Sequence, residues 1–351
     1  ILLTHNGEEL LSDAGHSSGY YENPYFPGYY TQAIGHNVML VDMNAESQAP
    51  ADFANGIAAL KTWPKIIRSF AGDRASAVEG DLTSVYKGAV SSYTRTLLSI
   101  KNGPLFLFDQ VKSPDAHSYN WLFHAEHTNG KSSISYSDNR MSINRSAARL
   151  TMDVLSPEAL TSKIRNSDRA ESFIAISSDK LKEANFLAVM VPEGKLTGVE
   201  YAPRPKPKRI ESDGWLGAVL KDTKADYYGF FRVKPGSDVA IQGFKTDASR
   251  FTALISDSQL KEAYFEGSSF EGYGSGLKFT APIIASLVFN DSETLLELKT
   301  DNSCKLIMAS PSKPIDISLD GVKVKNWKYD QNTRNLTVNI PQGQSQFSIK
   351  F

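Results

Sequence analysis

Between residues 10 and 48 the chain gathers residue types that bind metals and move protons. Asp13 stands ahead of Ala14-Gly15, His36 sits between Gly35 and Asn37, and five tyrosines (Tyr20, Tyr21, Tyr25, Tyr29 and Tyr30) precede Thr31. Asp13 follows the apolar pair Leu10-Leu11, and His36 precedes the apolar run 38–41, so each stands where a strand meets a loop. Loops held by rigid strands are where sites are commonly built. A carboxylate and an imidazole are two of the three or four ligands a zinc site takes. The structural alternative is an aspartate that closes a turn and a histidine held in a hydrogen-bonded corner. The tyrosines divide in the same way: at a cleft edge they stack on sugar faces, donate hydrogen bonds or move protons, and otherwise they pack their own loop.

The elements that must position these residues begin at the first residue. Residues 1–4 read as a short strand, and Asn6-Gly7 is a strong two-residue hairpin signal that pairs His5 with Glu8. Counted back through that hairpin, the position opposite Asp13 falls one residue before Ile1. A metal partner for Asp13 on the neighbouring strand is therefore expected upstream, and the chain reads as part of a longer protein. His5 lies about 17 Å along the strand from Asp13 and reads as a turn residue.

Beyond residue 63 the chain is a succession of short alternating segments divided by Gly, Pro, Asn and Asp, among them 66–71, 75–80, 85–92, 92–100, 104–111 and 119–124. Helical periodicity is confined to 51–60 and 157–164. The pattern predicts an all-β protein, with a large antiparallel β-sandwich over residues 1–275 and a small C-terminal β-sandwich over 276–351. The boundary is placed in the glycine-rich stretch 267–276, and Asp320-Gly321 predicts a hairpin inside the second part.

Composition narrows the function. Hydrophobic residues make up 41% and charged residues 22%, as in ordinary globular proteins, and the formal net charge is −1. No global field draws nucleic acid or an anionic membrane, and no apolar run reaches the length of a membrane span. Cys304 is the single cysteine, which excludes an internal disulfide and a cysteine-rich metal site. The basic, proline-rich run 201–209 reads as a solvated loop whose Arg204, Lys206, Lys208 and Arg209 could alternatively meet an acidic polymer. GxSxG, P-loop and dinucleotide motifs are absent. His124 and His127 are three apart, which on a strand turns them to opposite faces, so one of them, His124, is a candidate to line a cleft beside a core Trp121.

The Asp13-Ala14-Gly15 and Gly35-His36-Asn37 motifs, followed by the segment from Tyr93 to His124 with its Asp109-Gln110-Val111 and Trp121, resemble the C-terminal region of heparinase II/III-type polysaccharide lyases. The resemblance implies a helical α/α-toroid domain joined to large β-sheets, periplasmic or secreted, that cleaves uronic-acid glycans by β-elimination. Heparin, heparan sulfate and alginate are the substrate types it suggests. It implies zinc held by Asp13 and His36, with a third ligand from a His-x-His segment upstream of Ile1. It further implies a cleft tyrosine at Tyr30 or its neighbour Tyr29, with Tyr25, Gln48 and His124 as substrate contacts. The partners implied are an acidic polysaccharide and the chain's own toroid, without which this part is expected to bind zinc weakly and to lack lyase activity. A non-catalytic carbohydrate-binding or structural β-module is the competing expectation.

Overall fold

The structure is a computed structural model and describes residues 1–12, 29, 32–44, 48, 63–125, 133–165, 172–194, 201, 203–212, 214–236, 239–310 and 312–351. Asp13, Tyr20, Tyr21, Tyr25, Tyr30, His127 and the helix expected at 51–60 lie outside the described residues. The remainder is all-β: two large antiparallel sheets and one small hairpin, with only short 3-10 turns besides. Among the described residues no helix is long and apolar enough to cross a membrane.

The chain forms two compact units, with the main division between Pro203 and Arg204; the segments Ser69–Ala77 and Leu98–Gly103 group with the second. The first sheet and its hairpin comprise β1 (Leu3–His5), β2 (Glu8–Leu11), β3 (Met39–Val41), β4 (Lys65–Ala71), β5 (Ala75–Asp81), β6 (Ser92–Ile100), β7 (Leu105–Ala125), β8 (Ser133–Ser137), β9 (Arg140–Asn144), β10 (Ala148–Ser156), β11 (Leu160–Arg165) and β12 (Ser172–Gly194). The sheet order is β4-β5-β6-β7-β12-β10-β9-β8, with β3 on β7 and β11 on β12.

β7 and β12 form its spine. Each reads in sequence as two strands, 104–111 with 119–124 and 172–177 with 185–192, because residues 112–116 and 178–183 lack apolar alternation. The structure runs each pair together, and the register between them slips between Ser177 and Lys180 and again between Leu181 and Glu183. Pro114 lies opposite that slip, where no ladder bond requires its missing N–H. Residues 157–164, expected as helical, instead lead into β11, which pairs with β12 from Leu160↔Ser178 to Arg165↔Phe173. The strand expected over 85–92 is replaced by a 3-10 turn at Thr83–Tyr86 and a left-handed Lys87.

Asn6 and Gly7 adopt φ of 49° and 75°, the left-handed pair of a type I′ turn, and His5 pairs with Glu8 as expected. A bulge then intervenes: Leu3 stands opposite Leu11 and not Leu10. One-to-one counting from the turn therefore holds only as far as Thr4 and Glu9, since a bulge inserts one residue into one strand only; the pairing of Asp13 lies outside the described residues.

The second unit carries β13 (Lys208–Ser212), β14 (Trp215–Lys221), β15 (Asp226–Arg232), β16 (Val239–Ile241), β17 (Phe244–Thr246), β18 (Arg250–Ser256), β19 (Gln259–Gly272), β20 (Ser275–Phe289), β21 (Glu293–Thr300), β22 (Cys304–Ala309), β23 (Asp316–Leu319), β24 (Val322–Lys323), β25 (Trp327–Asp330), β26 (Asn335–Ile340) and β27 (Gly343–Lys350). Residue 275, where a domain boundary was expected, falls at the β19–β20 hairpin of one continuous sheet. Its glycines serve a turn, with Tyr273 and Gly274 at φ of 49° and 81°. One core runs from Trp215 and Phe230 through Phe265 and Phe279 to Phe347, so strands on either side of 275 share their buried face. The run 201–209 is partly strand, and its two arginines are engaged: Arg204 pairs with Asp222 at 2.7 Å and Arg209 with Glu211.

Gly217 shows how tightly this core is set. It faces Phe230 across β14 and β15, and a Cβ built there would overlap the Phe230 ring and approach the Gly229 carbonyl to 2.5 Å. Gly217→Ala is expected to cost about 1–3 kcal/mol by overpacking. Denaturant unfolding that leaves the midpoint of this variant unmoved would contradict the packing described.

Candidate functional site

The short turn Ala33–Gly35 ends in extended backbone at His36, with φ −128° and ψ 159°, and the chain then enters β3 against β7 at Met39↔Trp121. Between turn and strand sits Asn37, 4% exposed. Its side-chain amide donates to the carbonyl of Ile1 at 2.8 Å and to that of Ser12 at 2.5 Å, while its oxygen accepts the backbone N–H of His124 at 2.6 Å. The Ser12 N–H closes the circuit on the His124 carbonyl at 3.0 Å. Both amide protons and the carbonyl oxygen are used, which only Asn or Gln can offer in one side chain. Asn37 therefore ties the first residue, the end of β2 and the end of β7 to one point. The residues adjoining the two candidate ligands, Ser12 beside Asp13 and Asn37 beside His36, are one hydrogen bond apart.

Behind Asn37 lies a buried ion pair. Arg95 donates from Nη1 to the Asn37 carbonyl at 3.1 Å and grips Asp109 through Nε at 2.9 Å and Nη2 at 2.8 Å. Asp109 is fully buried and also accepts from Tyr93 Oη at 2.7 Å and Trp121 Nε1 at 2.5 Å. Four donors thus converge on one carboxylate, the arrangement that makes a buried charge tolerable. Burial opposes the Arg95 charge, but Asp109 beside it outweighs this and raises the guanidinium pKa further. Burial pushes the Tyr93 phenol well above its ordinary range, and Tyr86 is raised by burial as well. Tyr86 donates to the Met39 carbonyl at 2.7 Å and accepts from Gln48 at 2.9 Å. These two phenols stay protonated at any ordinary pH and act as struts, Tyr86 for β3 and Tyr93 for β7, not as bases.

A model of the family described as "Heparinase II/III-like, C-terminal" matches residues 1–185, more than half of the chain. The chain belongs to that family. The heparinase II/III-like match holds Asn37, Arg95, Asp109 and His124 and ends within β12. Comparison with curated protein sequences finds no match. Among solved structures, heparinase III is similar at 14% identity and a TM-score of 0.49, over 66% of this chain and 35% of that one. A mutant of the heparan sulfate lyase HepC from Pedobacter heparinus is 13% identical, with a TM-score of 0.47 over 73% of this chain and 35% of its own. The Streptomyces coelicolor A3 chondroitin AC lyase bound to chondroitin sulphate is 7% identical, with a TM-score of 0.43 over 82% and 36%. The chain spans about a third of the length of these enzymes.

The site residues expected in this heparinase II/III-like region fall into three groups. His36 is described and half-buried beside the Asn37 clamp. Asp13, Tyr25 and Tyr30 lie outside the described residues. His124 is fully buried, and Tyr29 and Gln48 are half-buried. His124 is stacked on Phe173 at 5.0 Å with Tyr29 edge-on at 6.3 Å, and its Nε2 lies 3.0 Å from the Ile34 carbonyl. It therefore supports the turn before His36 from within a small apolar cluster, where the alternation argument had offered it a cleft. Trp121 is core, as expected. Gln48 spends its amide on Tyr86. Asn37, Arg95, Tyr86 and Tyr93 went unnoticed as site builders. The signal for Asp109 was present as a polar residue inside the apolar run 105–111, where only a satisfied charge can sit.

Among the described residues, no group of three or more His, Cys, Asp or Glu side chains could hold a metal. Of the two residues expected to ligate zinc, His36 is the one described, and its backbone is fixed on its C-terminal side by the clamp. A nitrogen donor of this kind paired with a carboxylate suits zinc and leaves further ligands to be supplied.

Proposed function

We propose that this chain is the β-sheet part of a polysaccharide lyase that cleaves uronic-acid glycans, of the heparin, heparan sulfate or alginate kind, by β-elimination. The observation that carries the reading is the Asn37 clamp within a heparinase II/III-like region: it joins the neighbours of Asp13 and His36 and rests on a buried Arg95–Asp109 pair. In this reading Asp13 and His36 hold zinc, and when bound the ion supplies a fixed positive charge that orders the sheet side of the cleft. Asn37 and Arg95 keep the His36 backbone in place, an outer-shell role that tunes metal affinity. A base takes the C5 proton, the C4–C5 double bond forms as the C4–O bond breaks, Tyr30 takes one of the two proton-transfer roles by accepting the C5 proton or protonating the departing oxygen, and Tyr25 contacts the sugar. Tyr29, His124 and Gln48 act through packing. The acid and base work is shared with a helical partner domain, and the acidic substrate places the protein in the periplasm or outside the cell.

Metal analysis of the purified chain tests this directly. On titration with zinc, weak binding is expected in the parent and none in Asp13→Ala or His36→Ala, while Lys323→Ala binds as the parent does. Joined to a helical domain, the parent should release unsaturated uronate, read as new ultraviolet absorbance, and His36→Ala should not. Metal retained in both ligand variants, or elimination unaffected by them, would overturn the proposal.

A further inference from the structure

We propose that Lys163 and Arg165, on the outer strand β11, form a subsite that takes the carboxylates or sulfates of an acidic glycan on the side of the sheet that carries the turn before His36. The class of substrate rests on the lyase reading. The two cations hold sugar units away from the bond that breaks.

Register puts both side chains on one face. β11 pairs with β12 and β12 with β7, so three rows cross the sheet: Thr161–Ser177–Asn120, Lys163–Ala175–Leu122 and Arg165–Phe173–His124. Rows two residues apart share a face. Ala175, Leu122 and Phe173 belong to the small apolar cluster that also holds Ala33 and Ile34 of the turn before His36. The alternate residues Trp121, Phe123, Ile174 and Ile176 belong to the larger core on the opposite face. Lys163 and Arg165 therefore stand on the side of the His36 turn, about 7 Å apart along the strand. Both are exposed.

One row links Arg165 to that turn. Its guanidinium lies 5.7 Å from the centroid of the Phe173 ring, Phe173 stacks on His124 at 5.0 Å, and His124 Nε2 lies 3.0 Å from the Ile34 carbonyl. Two strand spacings, about 10 Å, separate the Arg165 backbone from that of His124. A guanidinium held against a ring is oriented yet keeps N–H groups for a ligand, and its planar fork matches the oxygens of a carboxylate or sulfate.

Charge selects the ligand. The three rows hold two cations and no carboxylate. In β12 and in the chain leading into β11 the described acids are Asp179 and Glu158, beyond the Leu160↔Ser178 pair and about 14 Å or more along the strands from either cation, which exceeds the screening length at physiological salt. The patch thus keeps a net positive charge among the described residues. A peptide strand added at the free outer edge of β11 is the competing occupant; backbone hydrogen bonds would hold it, with little dependence on Lys163 or Arg165.

Calorimetric titration of the full chain with a heparin hexasaccharide tests the subsite, with cellohexaose and polyglutamate as controls. The double variant Lys163→Ala with Arg165→Ala is expected to weaken hexasaccharide binding about ten-fold or more and to flatten its salt dependence, since two charge-assisted contacts are lost. Lys163→Arg with Arg165→Lys, which keeps both charges, should recover most of it. The double alanine variant should weaken binding by the same factor in a His36→Ala background, so failure of the lyase reading and failure of this one give different results. A double alanine variant that binds the hexasaccharide as the parent does overturns the proposal. So does cellohexaose or polyglutamate that binds as tightly and loses affinity in the same variants.

Discussion

Asp109→Asn is expected to destabilise the first unit by about 3–5 kcal/mol, because it removes the charge that balances Arg95 in the interior while leaving the guanidinium there. Asp109 is fully buried and the Arg95 side chain is only 13% exposed behind Asn37, so the stranded cation stays largely out of water. The amide cannot serve four donors either, since its nitrogen would face one of Tyr93, Trp121 or Arg95. Replacing the pair together, as Arg95→Leu with Asp109→Leu, removes both charges and is expected to cost clearly less than Asp109→Asn alone. Denaturant unfolding followed by tryptophan fluorescence reads both, as Trp121 lies in the network. A double variant no better than the single one would show that the hydrogen-bond geometry, and not the unpaired charge, sets the cost.

Asn37→Asp should be the most damaging change at the site itself. Asn37 directs both amide protons at the carbonyls of Ile1 and Ser12, and a carboxylate of the same shape would set negative oxygens against those two acceptors. Asn37→Ala loses three hydrogen bonds at roughly 1 kcal/mol each, about 3 kcal/mol in all. Asn37→Asp at neutral pH should cost more, since it adds a buried unpaired charge. The sign with pH follows. An introduced carboxyl whose ionised form is repelled has its folded pKa raised above the unfolded value, so its penalty is smallest at low pH and grows as pH rises through that window. One proton restores one of the two donors, so acid should recover part of the loss in Asn37→Asp and none in Asn37→Ala. In the zinc titration both variants should weaken binding about ten- to a hundred-fold, as loss of an outer-shell partner does. A parent-like metal affinity in Asn37→Ala would separate the clamp from the metal reading.

The sequence by itself determined the class of fold and the family resemblance. Period-two alternation and the Asn6-Gly7 and Asp320-Gly321 turns depend on local stereochemistry, and both turns adopt the left-handed pair their residues favour. The Asp13 and His36 motifs and the buried-strand signature around Asp109 marked the region that matches the heparinase II/III-like family. Tertiary structure decided the rest. Strand continuity across Pro114 rests on pairing with β12 and not on any property of residues 112–116. The placement of the expected boundary inside one sheet follows from the core shared by Phe265, Phe279 and Phe347. His124 was assigned a face by alternation, yet alternation says nothing about what covers that face, and Phe173 and Tyr29 cover it. Asn37 is the clearest case. Its neighbours in sequence are His36 and Val38, but its hydrogen-bond partners are residues 1, 12 and 124, and only the folded chain brings three such distant backbones within reach of one amide.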